Sequence, residues 1–207
     1  MKEINVPSIE IAEGLLKAGE NINPGNWVGH SKNTARAAGF IAAACPGMEE
    51  ESAYVLGLLH DIGRREGVSK LHHTLNGYKY MMELGYSYSA RICLTHSFAV
   101  KEVNLFKGRD CTDEEIAFIQ RYIDQTEYSD YDRLIQLCDL LALPNGLCLI
   151  EKRIVDISLR HGVSEDSTRK WEEVFFLKTY FEKKIGRSIY SLLPGVVETT
   201  FGTKDLV

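Results

Sequence analysis

Residues 53–63 read Ala53-Tyr-Val-Leu-Gly-Leu-Leu-His60-Asp61-Ile-Gly63, an apolar run that ends on two adjacent polar side chains. The acidic triplet before it, residues 49–51, suits the positive end of a helix dipole, and Gly63 favours a helix end. The run therefore predicts a buried helix. A buried carboxylate without a partner is costly in a medium of low dielectric constant, so we expect Asp61 to have a compensating cation.

Asp139 poses the same problem, because it lies in the apolar segment Leu134-Ile-Gln-Leu-Cys-Asp139-Leu-Leu-Ala-Leu143. No lysine or arginine follows it within four residues, and Arg133, six positions earlier, lies on a different helical face. For a lone histidine, a hydrogen-bonded core residue is the simpler interpretation. The set favours a shared cation instead, since two histidines have similar surroundings: His96 ends the segment Ile92-Cys-Leu-Thr-His96, and His30 shares a predicted helix face with Thr34, Ala37 and Ile41.

The types of the candidate ligands indicate which metals suit such a site. Imidazole nitrogens and carboxylate oxygens suit divalent ions such as Fe, Mn, Co, Zn or Ni. The five cysteines are scattered singly without a C-x-x-C pair, which argues against a structural thiolate site and a disulfide framework. We therefore expect one or two divalent metal ions per chain, their identity left open, and reduced cysteines that are mostly buried.

Helical periodicity dominates the chain, and the alternation typical of β-strands is almost absent. The sequence thus predicts an all-α fold, a compact multi-helix bundle in one domain of residues 1–207 with its core at about 27–161. The tail from Gly186 lacks periodicity and is predicted to be a partly extended surface segment. The predicted helices are residues 8–18, 27–44, 53–62, 74–84, 89–97, 112–125 (after the capping-box pattern Thr112-Asp-Glu-Glu115), 132–143, 147–161 and 164–184. In the last of them an apolar stripe predicts core packing rather than a cofactor site: Trp171, Val174, Phe175, Phe181 and Ile185.

Charge and composition limit the partners. The formal net charge of -5 argues against a nucleic-acid polymer or an anionic membrane as partner, because both require a basic surface. No continuous apolar stretch marks a signal peptide or a membrane span. We expect a cytoplasmic protein that acts on a small molecule, and homo-oligomerisation stays open.

The series His30, His60-Asp61 and Asp139, on three successive long helices, resembles the ligand series of the HD-domain metal-dependent phosphohydrolase superfamily. The resemblance extends over residues of about 27 to 161. Its flanking motifs are Trp27-Val-Gly-His30-Ser-Lys-Asn-Thr-Ala-Arg-Ala-Ala, similar to the first histidine helix of the family, Gly57-Leu-Leu-His60-Asp61-Ile-Gly63, similar to its signature helix end, and Leu137-Cys-Asp139-Leu-Leu, similar to its closing aspartate helix.

Two further histidines resemble ligands found in part of that superfamily. His73-Thr-Leu-Asn-Gly77-Tyr78 is similar to the family's H-x-x-x-G-[YA] helix start, and His96 to a single histidine at the following helix end. His72 is an alternative ligand, although the four-residue step to Gly77 favours His73. The resemblance implies two metal positions, the first held by His30, His60, Asp61 and Asp139, and the second by His73, His96 and a shared Asp61.

Basic residues near the His-Asp pair are the candidates for binding phosphate. Many relatives have lysine directly after His-Asp-Ile-Gly, whereas this chain has Arg64-Arg65, followed by Lys70. The guanidinium fork of Arg64 can bind phosphate oxygens in a bidentate manner. We expect Arg64 to act with Asp61 in catalysis and to bind substrate, while a solvated basic turn is an equal interpretation for Arg65 and Lys70. Lys32 and Arg36, on the first histidine helix, are expected to help bind the substrate.

The activity that the resemblance implies is hydrolysis of a small phosphate ester, such as a nucleotide or dinucleotide, by metal-activated water. Two alternatives stay open. Some relatives with the same ligand set resemble mixed-valent di-iron oxygenases that cleave C–C or C–P bonds. The second alternative is a regulatory helical module in which the metal is only structural. Such a module requires a metal ion with no open coordination position.

Overall fold

The computed structural model describes residues 4–106, 108 and 110–202. This part of the chain consists of α-helices, three short 3-10 helices and one hairpin of two-residue strands, so the predicted all-α fold is confirmed. The elements are α1 (Ile9–Ile22), α2 (Asn26–Ala44), α3 (Glu50–Leu59), a 3-10 helix (Ile62–Glu66), α4 (His72–Glu83), α5 (Ser87–Thr95), a 3-10 helix (Val103–Leu105), α6 (Asp113–Gln125), α7 (Asp130–Asp139), β1 (Ala142–Leu143), β2 (Gly146–Leu147), α8 (Ile150–His161), α9 (Glu165–Ile185), a 3-10 helix (Ile189–Leu192) and α10 (Val196–Phe201).

Helix α6 begins as its sequence predicts. The Thr112 hydroxyl accepts a hydrogen bond from the Glu115 backbone N–H (3.2 Å), and the Glu115 carboxylate accepts one from the Thr112 N–H (3.0 Å). Helix α7 has an equivalent capping box, between Ser129 and Asp132, so it begins two residues earlier than predicted. The side chains at both helix starts thus satisfy backbone donors that lack a partner within the helix.

The end of α7 differs from the prediction. The helix ends at Asp139 rather than at Leu143, because Ala142 and Leu143 pair with Leu147 and Gly146 in an antiparallel hairpin across the Pro144-Asn145 turn. Asp139 is therefore the last residue of a helix and not the middle of one. Its carboxylate therefore lies at the C-terminal end of α7, where residues of other helices can reach it.

The end of α1 was also predicted wrongly, at residue 18 instead of Ile22. Gly19 is buried inside the helix, and a Cβ atom added there would lie 3.1 Å from the Trp27 ring and 3.3 Å from the Arg65 side chain. The glycine thus allows close packing within a continuing helix rather than ending it. The Trp27 indole N–H donates to the Asn23 carbonyl oxygen (2.8 Å) and fixes the turn between α1 and α2.

Close backbone contacts bring the candidate ligands together. Helices α2 and α3 cross at Gly57, where an added Cβ would lie 2.8 Å from the Cα atom of Ala35. A Cβ at Gly63 would lie 2.0 Å from the carbonyl oxygen of His73, so the 3-10 helix after Asp61 lies directly against the start of α4. Only glycine allows these approaches, which explains the two glycines that flank His60-Asp61.

Three buried apolar clusters surround the point where these helices meet. The largest joins α2, α3 and α7 to α9 and the tail, the second joins α1 to α2, α3 and α4, and the third joins α4 and α5 to α6. Four cysteines are buried, Cys111 is partly buried, and all five are free thiols, as predicted. None of the helices in the described ranges is both long enough and apolar enough to span a membrane.

The tail is not the partly extended surface segment that its sequence predicted. It forms the last 3-10 helix and α10, with Ile189, Leu193 and Val196 buried in the largest cluster. The Thr200 hydroxyl also accepts a hydrogen bond from the Leu149 N–H (2.9 Å). Elements this short show no helical periodicity, so the pattern could not reveal them. Residues 203–207 lie outside the described residues.

Only part of the apolar stripe of α9 belongs to the hydrophobic core. Val174 and Phe181 are buried, as predicted, but Phe175 is exposed and Trp171 lines a cleft that is described below. A single helix face therefore contributes both to the core and to the wall of the candidate site.

Candidate metal centre

The predicted ligands lie at or near helix ends that meet at one place. His60 and Asp61 directly follow α3, and His96 directly follows α5. The histidines and Asp61 are all buried, while the Asp139 side chain is 27% exposed and thus connects the cluster with solvent. The structure brings all six predicted metal ligands together: His30, His60, Asp61, His73, His96 and Asp139.

A first group of ligand atoms surrounds one oxygen of Asp139. The Nε2 atom of His30 lies 2.8 Å from Asp139 Oδ1, and the Nε2 atom of His60 lies 3.9 Å from the same oxygen. Ligand atoms of these three residues all lie within 4.8 Å of one another. Three donors so close together suit one metal ion.

A second group surrounds Asp61. Its Oδ1 atom lies 3.1 Å from Nε2 of His73 and 3.6 Å from Nε2 of His96, and these two nitrogens are 3.4 Å apart. His60, Asp61 and His96 also form a group within 4.8 Å, so His60 belongs to both groups. The cluster therefore offers two adjoining positions for a cation.

Backbone carbonyl groups fix the orientation of each imidazole ring. Nδ1 of His30 lies 3.2 Å from the Ala142 oxygen, that of His60 lies 2.7 Å from the Gly57 oxygen, and that of His96 lies 2.9 Å from the Cys93 oxygen. His73 makes the same contact with the Lys70 oxygen. Because a carbonyl oxygen can only accept, Nδ1 is the protonated nitrogen in each neutral ring, and Nε2 presents its lone pair to the cluster.

In this arrangement, hydrogen-bond acceptors of the histidine rings face hydrogen-bond acceptors of the aspartates. The Nε2 lone pairs face the oxygens of two carboxylates, and no neutral ring can donate to them. Two of these atoms, His60 Nε2 and Asp61 Oδ1, are buried and have no hydrogen-bond partner among the residues that the structure describes. A buried polar atom without a partner is costly, and a divalent cation would satisfy both atoms at once. The residues therefore fit a metal ion.

Except at His30, the pKa values of the cluster favour the forms that bind metal. Burial lowers the pKa of His96 to about 3 and also lowers the pKa of His60. Burial opposes protonation of His30, but the hydrogen bond that the protonated ring donates to Asp139 and the negative charges of Asp139 and Asp61 together outweigh burial and raise the pKa of His30. Burial likewise opposes ionisation of Asp139, yet the same hydrogen bond holds the pKa of Asp139 well below its ordinary value. At neutral pH, His60 and His96 are neutral, as metal binding requires.

Arg64 lies at the edge of the cluster. Its Nε donates to Asp61 Oδ2 (2.6 Å), its Nη1 donates to the Ser69 carbonyl oxygen (3.2 Å), and its Nη2 lies 3.4 Å from Nε2 of His73. Although burial opposes ionisation of Asp61, the Arg64 guanidinium and the neighbouring histidines hold the pKa of this carboxyl well below its usual range. Arg64 neutralises one oxygen of Asp61 and leaves the other for a cation.

The metal centre opens into a cleft with a volume of about 820 Å³. Its lining includes His30, Asp61 and Asp139 of the metal centre, and residues of α8 and α9 form a second part of its wall. Sequence reasoning missed this second wall. The only sign of it in the sequence is the spacing of seven residues between Arg153 and Arg160, which places both on one face of α8. The basic residues of the cleft are Arg64, Lys70, Arg153, Arg160 and Lys170.

The other predicted basic residues lie elsewhere. Lys32 and Arg36 are exposed on α2, and within the described part of the chain neither lines the cleft. The guanidinium of Arg65 lies 4.0 Å above the Tyr80 ring. His72, the alternative ligand, has its Nε2 3.2 Å from a Glu115 carboxylate oxygen, so the structure brings His73 and not His72 into the cluster.

Fold and site together describe an all-helical protein with a buried cluster of histidine and aspartate side chains that can hold a metal ion. Comparison of the chain with protein-family models, with curated proteins and with solved structures found no match in any of the three. The function must therefore be inferred from the residues and geometry of the site.

Proposed function

We propose that this protein is a metal-dependent phosphohydrolase of the HD type that acts on a small phosphate ester, with nucleotides and dinucleotides as the first substrates to test. The observation that carries the proposal is the combination of the two ligand groups with a basic cleft directly above them. Metal ligands alone suit many activities, whereas a cleft whose five basic residues outnumber its three aspartates, Asp61, Asp139 and Asp156, favours a substrate that bears negative charge.

In this proposal the ligands divide between two ions as the resemblance implies. His30, His60, Asp61 and Asp139 would hold one divalent ion, and His73, His96 and Asp61 would hold another. When bound, Fe, Mn, Co, Zn or Ni would supply Lewis acidity to a phosphoryl group and to water. Asp139 is the most exposed of the six ligands, so solvent and substrate would reach the ions from its side.

Arg64 and Arg153 are the side chains best placed to bind the phosphoryl oxygens. Arg64 is fixed by Asp61 and by the Ser69 carbonyl, so its guanidinium loses little freedom when a substrate binds. Arg153 donates through Nη1 to Asp156 (3.2 Å), while its buried Nε has no hydrogen-bond partner in the described ranges. Because Arg153 lines the cleft, its guanidinium group is within reach of a bound phosphate. Both guanidinium groups would stabilise the negative charge that increases on the phosphoryl group during displacement.

The two adjacent histidines of α4 provide a matched test. His73→Ala removes a proposed ligand, and His72→Ala removes a side chain that contacts Glu115 instead. With Mn²⁺ supplied, we expect His73→Ala to bind less metal and to hydrolyse p-nitrophenyl phosphate at least about 100-fold more slowly than the wild type, because ligands and their partners control both properties. His72→Ala should retain both. Metal content is measured by mass spectrometry, and hydrolysis by release of nitrophenolate.

Two results would overturn the proposal. One is full metal content and full activity in His73→Ala. The other is a wild-type protein that binds metal but releases no phosphate from p-nitrophenyl phosphate or from any nucleoside mono-, di- or polyphosphate. In that second case, oxygen consumption by the iron-loaded protein separates an oxygenase from a protein whose metal is structural.

A further inference from the structure

A second, smaller cavity of about 250 Å³ lies beside the metal centre. It shares His96 and Asp139 with the metal centre, and Ile157 and Trp171 line both this cavity and the cleft. The cavity is therefore continuous with the place where a phosphoryl group would bind. Most of its wall is apolar, with Phe98, Phe106, Leu140 and Ile154 completing the surface around Ile157 and Trp171.

Two of the polar side chains in the wall of this cavity, Gln136 and Lys170, are engaged with the protein itself. The Gln136 side-chain amide donates to the Thr95 carbonyl oxygen (3.1 Å), and the Lys170 ammonium donates to the Leu105 carbonyl oxygen. At the rim, Arg169 and Glu102 form an ion pair of 2.9 Å. The wall is thus suited to an apolar ligand more than to a sugar, whose hydroxyl groups each require a hydrogen-bond partner.

The volume and shape of the cavity limit the ligand further. An apolar cavity of about 150 Å³ is large enough to bind benzene, so this one accommodates a single or fused ring or a branched alkyl group. Water in an apolar cavity makes few hydrogen bonds, and its displacement by an apolar group favours binding. Trp171 lines the cavity and provides an aromatic surface for packing against such a ring.

We propose that this side cavity binds the apolar part of the alcohol whose phosphate ester is hydrolysed at the metal centre. The proposal rests on the proposed function and narrows its substrate to esters that have an aryl or branched alkyl group close to the phosphate. In that reaction the oxygen of water forms a new bond to phosphorus, the bond between phosphorus and the alcohol oxygen breaks, and the alcohol leaves with one proton of the water. The ring would occupy the side cavity while the phosphoryl group lies over His96 and Asp139.

Binding of two phosphonates tests the proposal without any turnover. Phenylphosphonate and methylphosphonate have the same anionic head group, but only the first carries a ring. We expect the Mn²⁺-loaded wild type to bind phenylphosphonate roughly 10- to 100-fold more tightly, because the ring buries apolar area that the methyl group lacks. Isothermal titration calorimetry measures both affinities.

Variants of α8 and α9 provide the matched controls. Ile157→Ala and Trp171→Ala each remove part of the cavity wall, and each should reduce the ratio of the two affinities by roughly three- to tenfold. Leu159→Ala, two residues further along α8, changes a side chain that is 83% exposed and outside the lining of both cavities, and it should leave the ratio unchanged. The two wall variants are read independently, so that a folding defect in one of them does not decide the test.

The outcomes separate this proposal from the one on which it rests. If the wild type hydrolyses phosphate esters but binds both phosphonates equally, or if neither wall variant alters the ratio, the side cavity does not bind the alcohol. If the metal-loaded protein binds neither phosphonate and hydrolyses no phosphate ester, the proposed function is wrong, and the assignment of the cavity falls with it.

Discussion

Helices α5 and α7 each contribute to two buried acidic regions with opposite properties. At one region, Asp132 is fully buried and accepts hydrogen bonds from the Arg91 guanidinium (2.5 to 3.1 Å), from the Thr95 hydroxyl (2.8 Å) and from Ser129 (2.7 and 2.8 Å). At the other region, Asp139 at the far end of α7 faces His30 and His60, and the neighbouring Asp61 faces His73 and His96.

The difference lies in where the compensating charge comes from. Asp132 has a cation and donors from its own chain, so nothing further is required for its burial. The metal centre has more acceptors than donors, and Arg64 satisfies only one oxygen of Asp61. A buried carboxylate beside arginine is thus a structural device, whereas buried carboxylates beside the Nε2 atoms of several histidines indicate a place for a cation from solution.

The largest effect on stability is expected at Asp132, whose charge is compensated by groups of its own chain. Asp132→Asn removes the charge that pairs with Arg91 and should lower the free energy of unfolding by about 3 kcal/mol, since breaking a buried ion pair leaves its partner uncompensated. Metal content should stay at the wild-type value. Urea unfolding measures the first property and mass spectrometry the second. The exposed Asp124→Asn serves as the control, with a change below about 0.5 kcal/mol. Loss of metal from folded Asp132→Asn would remove the distinction between the two regions.

A smaller effect on stability is expected when the metal centre binds a cation. Mn²⁺ at about 100 times its dissociation constant should raise the free energy of unfolding of the wild type by about 2.7 kcal/mol, because only the folded protein holds the ligands together. Asp61→Asn removes the carboxylate that the proposal assigns to both ions and should abolish that increase, whereas Asp132→Asn should retain it. Thermal unfolding with and without Mn²⁺ measures the change. An equal increase in Asp61→Asn would contradict the role of this carboxylate.

The smallest effect concerns Asp110, an exposed carboxylate that accepts hydrogen bonds from the backbone N–H groups of Lys70 (2.6 Å), Leu71 (2.9 Å) and His72 (2.9 Å). Although burial opposes ionisation, these bonds hold the pKa of Asp110 below its ordinary value. The carboxylate therefore stabilises the start of α4, and Asp110→Asn should cost about 1 kcal/mol at neutral pH.

The pH dependence of that cost has a definite sign. A carboxyl group with a lowered pKa in the folded state stabilises the fold above its unfolded pKa, and this contribution is lost as the pH falls through the folded value. The difference in unfolding free energy between the wild type and Asp110→Asn should thus be constant above about pH 5 and decrease toward acid. A difference that increases toward acid would contradict this account of α4.

Local sequence was sufficient for part of the structure. The run that ends at His60-Asp61 indicated a buried helix with an uncompensated carboxylate, and the embedded Asp139 repeated the signal. The end of α7 was not predictable in the same way, because the hairpin that replaces its last turn depends on pairing between β1 and β2. The short helices of the tail were missed because their burial is decided by contacts with α9 and β2 rather than by their own pattern.

The wall of the cleft shows the limit of reasoning from sequence most clearly. Arg153, Arg160 and Trp171 are far from the metal ligands in the sequence, and only the packing of α8 and α9 brings them over the site. Lys32 and Arg36 were chosen for their proximity to His30 along α2, but they lie on the exposed side of that helix. Helical spacing relates residues of one helix, whereas a binding cleft is built from several.

A crystal structure of the protein grown with Mn²⁺, with anomalous scattering measured near the manganese edge, tests the central claim most directly. We expect anomalous density in contact with Nε2 of His30 and His60 and with Asp139, and further density between Asp61, His73 and His96. Absence of manganese from this cluster, with the ion bound at some other group of residues, would contradict it.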